Sequence, residues 1–206
     1  MYNYTPDNSS FLKIEIGKVK KVRNLLIGVF MLLFFICFGF FLYVFLDKWW
    51  LTSDKLTFFY RSLPLLCTLF VYFGVLFGGL GWIVYRKNQK FINALQNLNH
   101  QDLGIYQQYT SRLVRIYATI APYLFSEQQL LLFPLWGSKR IPIDQIHRIE
   151  TKIIQNYRGP NTFRVYFYTE SSKIQQLTMS QRGAFDFIQE QLLKEIPNLV
   201  IIARNH

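Results

Sequence analysis

The chain has little of what catalytic and metal-binding proteins are built from. It holds two cysteines and three histidines in 206 residues. Cys37 and Cys67 both lie in apolar runs with no CxxC spacing and no neighbouring histidine, so they read as small packing residues and imply no disulfide framework. His100, His147 and His206 are scattered, and no two have the spacing of metal ligands. There is no GxSxG nucleophile context and no glycine-rich phosphate loop; the GGLG at 78–81 sits inside an apolar run. Acidic residues number 12 against 23 basic ones, too few and too dispersed for a paired-carboxylate site. The sequence therefore predicts no enzyme activity, no cofactor and no metal.

What the chain does have is long uncharged stretches. Residues 24–46 (NLLIGVFMLLFFICFGFFLYVFL) and 63–85 (LPLLCTLFVYFGVLFGGLGWIVY) each lack any charge. At 1.5 Å per residue each reaches about 34 Å, against a hydrocarbon core of about 30 Å. The first contains 17 Leu, Ile, Phe or Val residues. At roughly −0.3 to −0.6 kcal/mol each, they favour insertion by about 5–10 kcal/mol. The run exceeds the 7–15 residues usual for a signal peptide, and no small-x-small cleavage site follows it. Two transmembrane helices are predicted, 24–46 and 63–85. Neither holds an ionisable residue of the kind that marks ion paths or proton relays.

The net charge of +11 is placed to suit a membrane rather than nucleic acid. Lys13, Lys18, Lys20, Lys21 and Arg23 precede the first run; Arg86, Lys87 and Lys90 follow the second. The segment between, 47–62, carries Lys48, Lys55 and Arg61 among interfacial aromatics such as Trp49 and Trp50. The positive-inside rule puts both termini in the cytoplasm, where anionic lipids attract basic flanks at about 1 kcal/mol per residue. The predicted division is a basic cytoplasmic segment 1–23, the first span 24–46, an extracytoplasmic loop 47–62, the second span 63–85, a helical linker 86–111 and a β domain 112–206. In the N-terminal segment, Phe11, Ile14, Ile16 and Val19 fit neither helical nor strand period, and either element is open. The linker helix, with Phe91, Ile92, Leu95 and Leu98 at helical spacing, is expected to end near His100–Asp102.

Beyond the linker the periodicity becomes that of strands. The expected strands are 113–125, broken at Pro122; 129–133; 139–143; 146–154; 162–170, with Phe163, Val165 and Phe167 on one face; and 173–179. Ser180 is expected to cap a helix 181–196 with an apolar stripe of Ala184, Phe185, Ile188, Leu192 and Ile196, ended by Pro197. Residues 199–203 read as a last strand or an apolar lid. The fold class is α+β: a transmembrane hairpin followed by a small antiparallel β-sheet or bent barrel with a C-terminal helix.

The order strand, turn, Arg140-Ile141-Pro142-Ile143-x-x-Ile146-x-x-Ile149-Glu150, turn, aromatic strand, short strand, helix resembles the bacterial pleckstrin-homology-like (bPH) domains that follow paired membrane spans. The resemblance covers about residues 112–196. It departs from the family at Ile143, where an aromatic is frequent, and at Gln128-Gln129, where a glycine is. It implies a curved antiparallel scaffold in a bacterial inner-membrane protein, without activity of its own, used for protein or membrane contacts. Fold-level analogy does not give the ligand.

The candidate contact residues are Lys139, Arg140 and Arg158, in or beside turns. They read either as a site for acidic headgroups or a partner, or as solvated turn charges. Arg148 and Lys152 read as strand-face and edge charges that blunt pairing. Asp144 and Glu150 are expected at a turn and on an exposed strand face. Gly74, Gly78 and Gly81 form a candidate helix-packing face. It serves either a dimer seam or partner helix, or the first span of the same chain. Three functions follow: an adaptor docking a partner protein at the membrane, a lipid-sensing module, or a packing subunit of a transporter or secretion machine. The partners expected are the bilayer, a protein in a membrane complex and a second copy of the chain, with nucleic acid disfavoured.

Overall fold

The computed structural model describes residues 8–113, 121–134, 137–156, 161–170 and 174–204. It is an α+β chain: two long apolar helices, α1 (Asn8–Leu51) and α2 (Lys55–Gln96), precede α3 (His100–Arg112), seven strands and α4 (Arg182–Glu195). The strands are β1 (Tyr123–Ser126), β2 (Gln129–Leu132), β3 (Lys139–Pro142), β4 (Ile146–Ile154), β5 (Thr162–Thr169), β6 (Gln175–Met179) and β7 (Val200–Arg204). Contacts divide the chain into two units, one of residues 20–89 and one of residues up to 19 together with those from 90 onward.

The 20–89 unit is the helical hairpin. Both helices are long and apolar enough to cross a membrane, and their most apolar windows are 6% and 0% buried. Over these windows the apolar side chains are not covered by the rest of the chain. Aromatic rings join the two: Phe34 and Phe38 meet Phe70 at centroid distances of 5.5 and 5.1 Å, and Phe45 meets Phe58 at 5.5 Å. Most of the predicted 47–62 loop is helical. Only residues 52–54 separate α1 from α2, and the Asp54 carboxylate accepts a 3.2 Å bond from the Thr57 amide to cap α2. That bond and one from the Thr57 side chain hold the Asp54 carboxyl below the usual range. At the other end of the hairpin the Arg23 guanidinium lies 4.9 Å from the Tyr85 ring centroid and donates to Gln89 Oε1 at 3.1 Å.

The second unit has a continuous core. Residues 8–19 enter it as helix, and the reason their period looked mixed is Glu15. Phe11, Leu12, Glu15, Ile16 and Val19 share the inward face at 3.6-residue spacing, whereas Ile14 is exposed. The buried Glu15 carboxylate pairs with Lys18 and accepts a 3.5 Å contact from the Tyr106 hydroxyl. From α2, Phe91, Ile92 and Leu95 are buried. The helical linker does not end at His100–Asp102; α2 stops at Gln96, and α3 begins there because Asn99 caps it, accepting a 2.8 Å bond from the Asp102 amide. Tyr106 stacks on Tyr109, which meets Tyr123 and Phe187 edge to face, in a buried aromatic cluster. The Tyr123 hydroxyl donates to the Ala184 carbonyl at 2.6 Å.

β1, β2 and β3 form one antiparallel sheet; the other has the order β6-β5-β4-β7. Ile141, Ile143, Ile146 and Ile149 are all buried, and β5 buries Phe163, Val165 and Phe167 as its alternation predicts. The segment expected at 199–203 as a last strand or an apolar lid is the strand β7, Val200–Arg204, and it pairs parallel to β4. That direction follows from α4, which carries the chain from β6 back to the far side of the sheet. Three finer expectations are corrected. Ser180 does not cap α4: Gln181 is the cap residue and makes no side-chain cap bond. The buried stripe of α4 runs through Phe187, with Phe185 partly buried and stacked on Phe163 instead. Of the expected strand 113–125, only residues 123–125 are strand among the described ones; 114–120 lie outside them. Gly183 sits in close approach, since a Cβ there would lie 3.1 Å from the Arg112 carbonyl oxygen.

Candidate functional site

Lys139 and Arg140 are exposed on β3, opposite Leu132 and Leu131 of β2. They line one wall of an open groove of about 630 Å³. Its other wall is the end of α2 with the turn that follows it: Lys90 and Asn93 from the helix and Asn97 just beyond. Ala94, Leu131 and Phe133 supply its apolar surface, and Ser126, Glu127, Gln129 and Ser138 complete the lining. Among the described residues, Lys90, Lys139 and Arg140 enter no ion pair. Three cations thus meet a single carboxylate, from Glu127, among side-chain amides and hydroxyls. Such a site favours an anion that can also exchange hydrogen bonds.

The Glu127 corner is held under strain. Ser126 pairs with Gln129, so Glu127 and Gln128 form a two-residue hairpin loop, with φ of 50° and 59°. Asn-Gly is the pair that such a turn prefers, and a longer L side chain there costs roughly 1–2 kcal/mol. Two bonds fix the turn. The Glu127 amide donates to Asp102 Oδ2 at 2.9 Å, and the Ile143 amide donates to the Gln128 carbonyl at 2.9 Å. Strain of this sort, secured by buried polar groups, is concentrated at functional sites.

The structure separates the remaining sequence candidates. Arg158 lies outside the described residues. Arg148 and Lys152 are not edge charges, because β4 is an inner strand. Arg148 pairs with Glu150 and stacks 5.2 Å from the Tyr168 ring centroid. Glu150 is not on an exposed face but buried, and also accepts a 2.8 Å bond from the Tyr168 hydroxyl. Lys152 stands directly opposite Arg164 of β5. For Gly74, Gly78 and Gly81, an added Cβ would meet no atom within 4 Å, so the first span does not fill their face. Sequence reasoning missed Lys90, Asn93, Asn97 and Glu127. The i, i+3, i+7 spacing of Lys90, Asn93 and Asn97, on the helix face away from Phe91, Leu95 and Leu98, is the signal that could have found them.

Burial raises the Tyr106, Tyr109 and Tyr123 phenols well above their ordinary value, with the Glu15 charge adding to the effect at Tyr106. No cluster of three metal-ligating side chains occurs among the described residues. No protein-family model, curated protein or solved structure matches the chain.

Proposed function

We propose that this is a bacterial inner-membrane protein with two spans, whose bPH-like cytoplasmic unit is a non-catalytic recognition module for acidic headgroups. The groove carries this reading: Lys139 and Arg140, singled out from the sequence, share it with Lys90. In the chain Lys90 follows Tyr85, the last residue of the second apolar run, by five positions. At most about 3.6 Å per residue, the chain keeps Lys90 within about 18 Å of the end of the run. Residues 8–19 and 90 onward belong to one compact unit, which supports, together with the charge distribution, an arrangement with both ends of the hairpin on the cytoplasmic side.

The test uses the full chain in zwitterionic nanodiscs, floated with acidic vesicles. Wild type co-floats at low salt and is released as salt rises, whereas Lys139→Glu with Arg140→Glu does not co-float. Equal flotation of the two proteins removes the lipid reading. Reporter fusions that place the C-terminus outside the cytoplasm overturn the arrangement as a whole.

The unfilled glycine face favours a second reading, an adaptor or accessory subunit that packs a partner helix or a second copy against Gly74 and Gly78. Replacement of both by leucine abolishes co-purification of a stoichiometric partner if this reading holds.

A further inference from the structure

We infer that the groove between α2 and the β1–β3 sheet selects a phosphoester carried on a hydroxylated carbon chain, a glycerol phosphate or similar polyol phosphate, and not negative charge alone. The inference rests on the reading of the groove as a recognition site and adds the chemistry of its ligand. Two halves of the lining ask for different groups. Lys90 on α2 and Lys139 and Arg140 on β3 supply cationic donors, a set that suits a compact oxyanion with several acceptor oxygens. Glu127 supplies the opposite, an acceptor with a negative charge. A carboxylate in a site for a bare anion would only repel it. A ligand whose phosphate is followed by hydroxyl groups uses both, donating those hydroxyls to Glu127 while the cations take the phosphate. Asn93, Asn97 and Gln129 add amides that both donate and accept, and Ser126 and Ser138 add hydroxyls, as polyol recognition requires.

The backbone points the same way. Glu127 stands at φ 50°, a conformation that asparagine or glycine adopts at less cost, and its amide is fastened to the buried Asp102. The fold thus holds a long acidic side chain at a position where a turn alone would favour a small residue. The groove's volume, about 630 Å³, accommodates a polyol phosphate with its bridging waters. The same headgroup occurs free or at the end of a diacylglycerol, and the lining recognises what the two share.

The test is titration calorimetry of the full chain in an uncharged detergent with sn-glycerol 3-phosphate, inorganic phosphate and dihexanoyl-phosphatidylglycerol. Glycerol phosphate is expected to bind more tightly than inorganic phosphate, and Lys139→Gln with Arg140→Gln to weaken both at least tenfold. Glu127→Gln keeps the side-chain length and separates the two ideas. It should weaken glycerol phosphate roughly five- to tenfold by loss of a charge-assisted bond, yet strengthen inorganic phosphate by relief of repulsion. Tighter binding of the short-chain lipid than of glycerol phosphate identifies the membrane as the source; equal binding identifies the soluble ester. If Glu127→Gln strengthens every anion alike, the polyol inference falls and the acidic-headgroup reading survives. If the Lys139 and Arg140 changes leave all affinities unaltered, both fall. Unchanged thermal unfolding of the two variants shows that the differences are those of the groove.

Discussion

The amide of Glu127 donates to the carboxylate of Asp102, 25 residues earlier, at 2.9 Å, and this bond ties the tightest turn of the small sheet to the first turn of α3. Asp102→Ala leaves that amide without its acceptor in a part-buried setting and is expected to destabilise the unit by about 1–3 kcal/mol. Asp102→Asn retains an acceptor oxygen and should cost less. Thermal unfolding of the detergent-solubilised chain, followed by limited proteolysis, checks the order of the three proteins.

Gln128 is exposed and holds φ at 59° without lining the groove. Gln128→Gly removes the clash of a Cβ in that conformation but gives the unfolded chain more freedom, and the balance favours the native state by roughly 0.5–1 kcal/mol. A rise in melting temperature with unchanged ligand affinity is the expected result.

Lys152 and Arg164 face one another across β4 and β5, an opposition that costs a few tenths of a kcal/mol or more. Lys152→Glu converts it to an attractive pair and should stabilise the sheet by about 0.2–1 kcal/mol at low salt, with the gain shrinking as salt is added. Denaturant titrations at two ionic strengths measure it.

The buried tyrosines set an alkaline limit. Burial raises the phenol pKa values of Tyr106, Tyr109 and Tyr123 in the folded chain above the unfolded value of 10.0. The stability they contribute is therefore fully present below about pH 10 and is lost as pH rises through the folded values, at up to about 1.4 kcal/mol per pH unit for each. Absorbance of tyrosinate should show these three, among 13 tyrosines, ionising only together with unfolding. Titration of all of them in a still-folded protein would contradict the burial.

Much of the fold was legible because single-period signals dominate it. The apolar runs, the alternation of β5 and the isoleucines from Ile141 to Ile149 each carry one period and one burial. Elements whose inward faces mix residue types were harder. Glu15 occupies a core position in α1, so Ile14 misled the reading of that segment, and Glu150 is buried by partners, Arg148 and Tyr168, that no local pattern announces. The groove was half legible. Lys139 and Arg140 stood out beside a turn, whereas Lys90, Asn93 and Asn97 are brought to them by packing between elements about 50 residues apart. Nothing in the residues around Gln128-Gln129 announced that Glu127 and Gln128 would take positive φ, since neither is asparagine or glycine.

The compact unit that takes in residues 8–19 as well as those beyond 90 imposes an order on biosynthesis. The ribosome releases the first of these pieces before the hairpin and the second after it. Phe11, Ile16 and Val19 therefore wait, their apolar side chains uncovered, while residues 20–89 are synthesised. β7, which pairs with the inner strand β4, emerges later still. The unit is therefore completed only after the hairpin has been synthesised, closing around two segments that residues 20–89 separate in the chain.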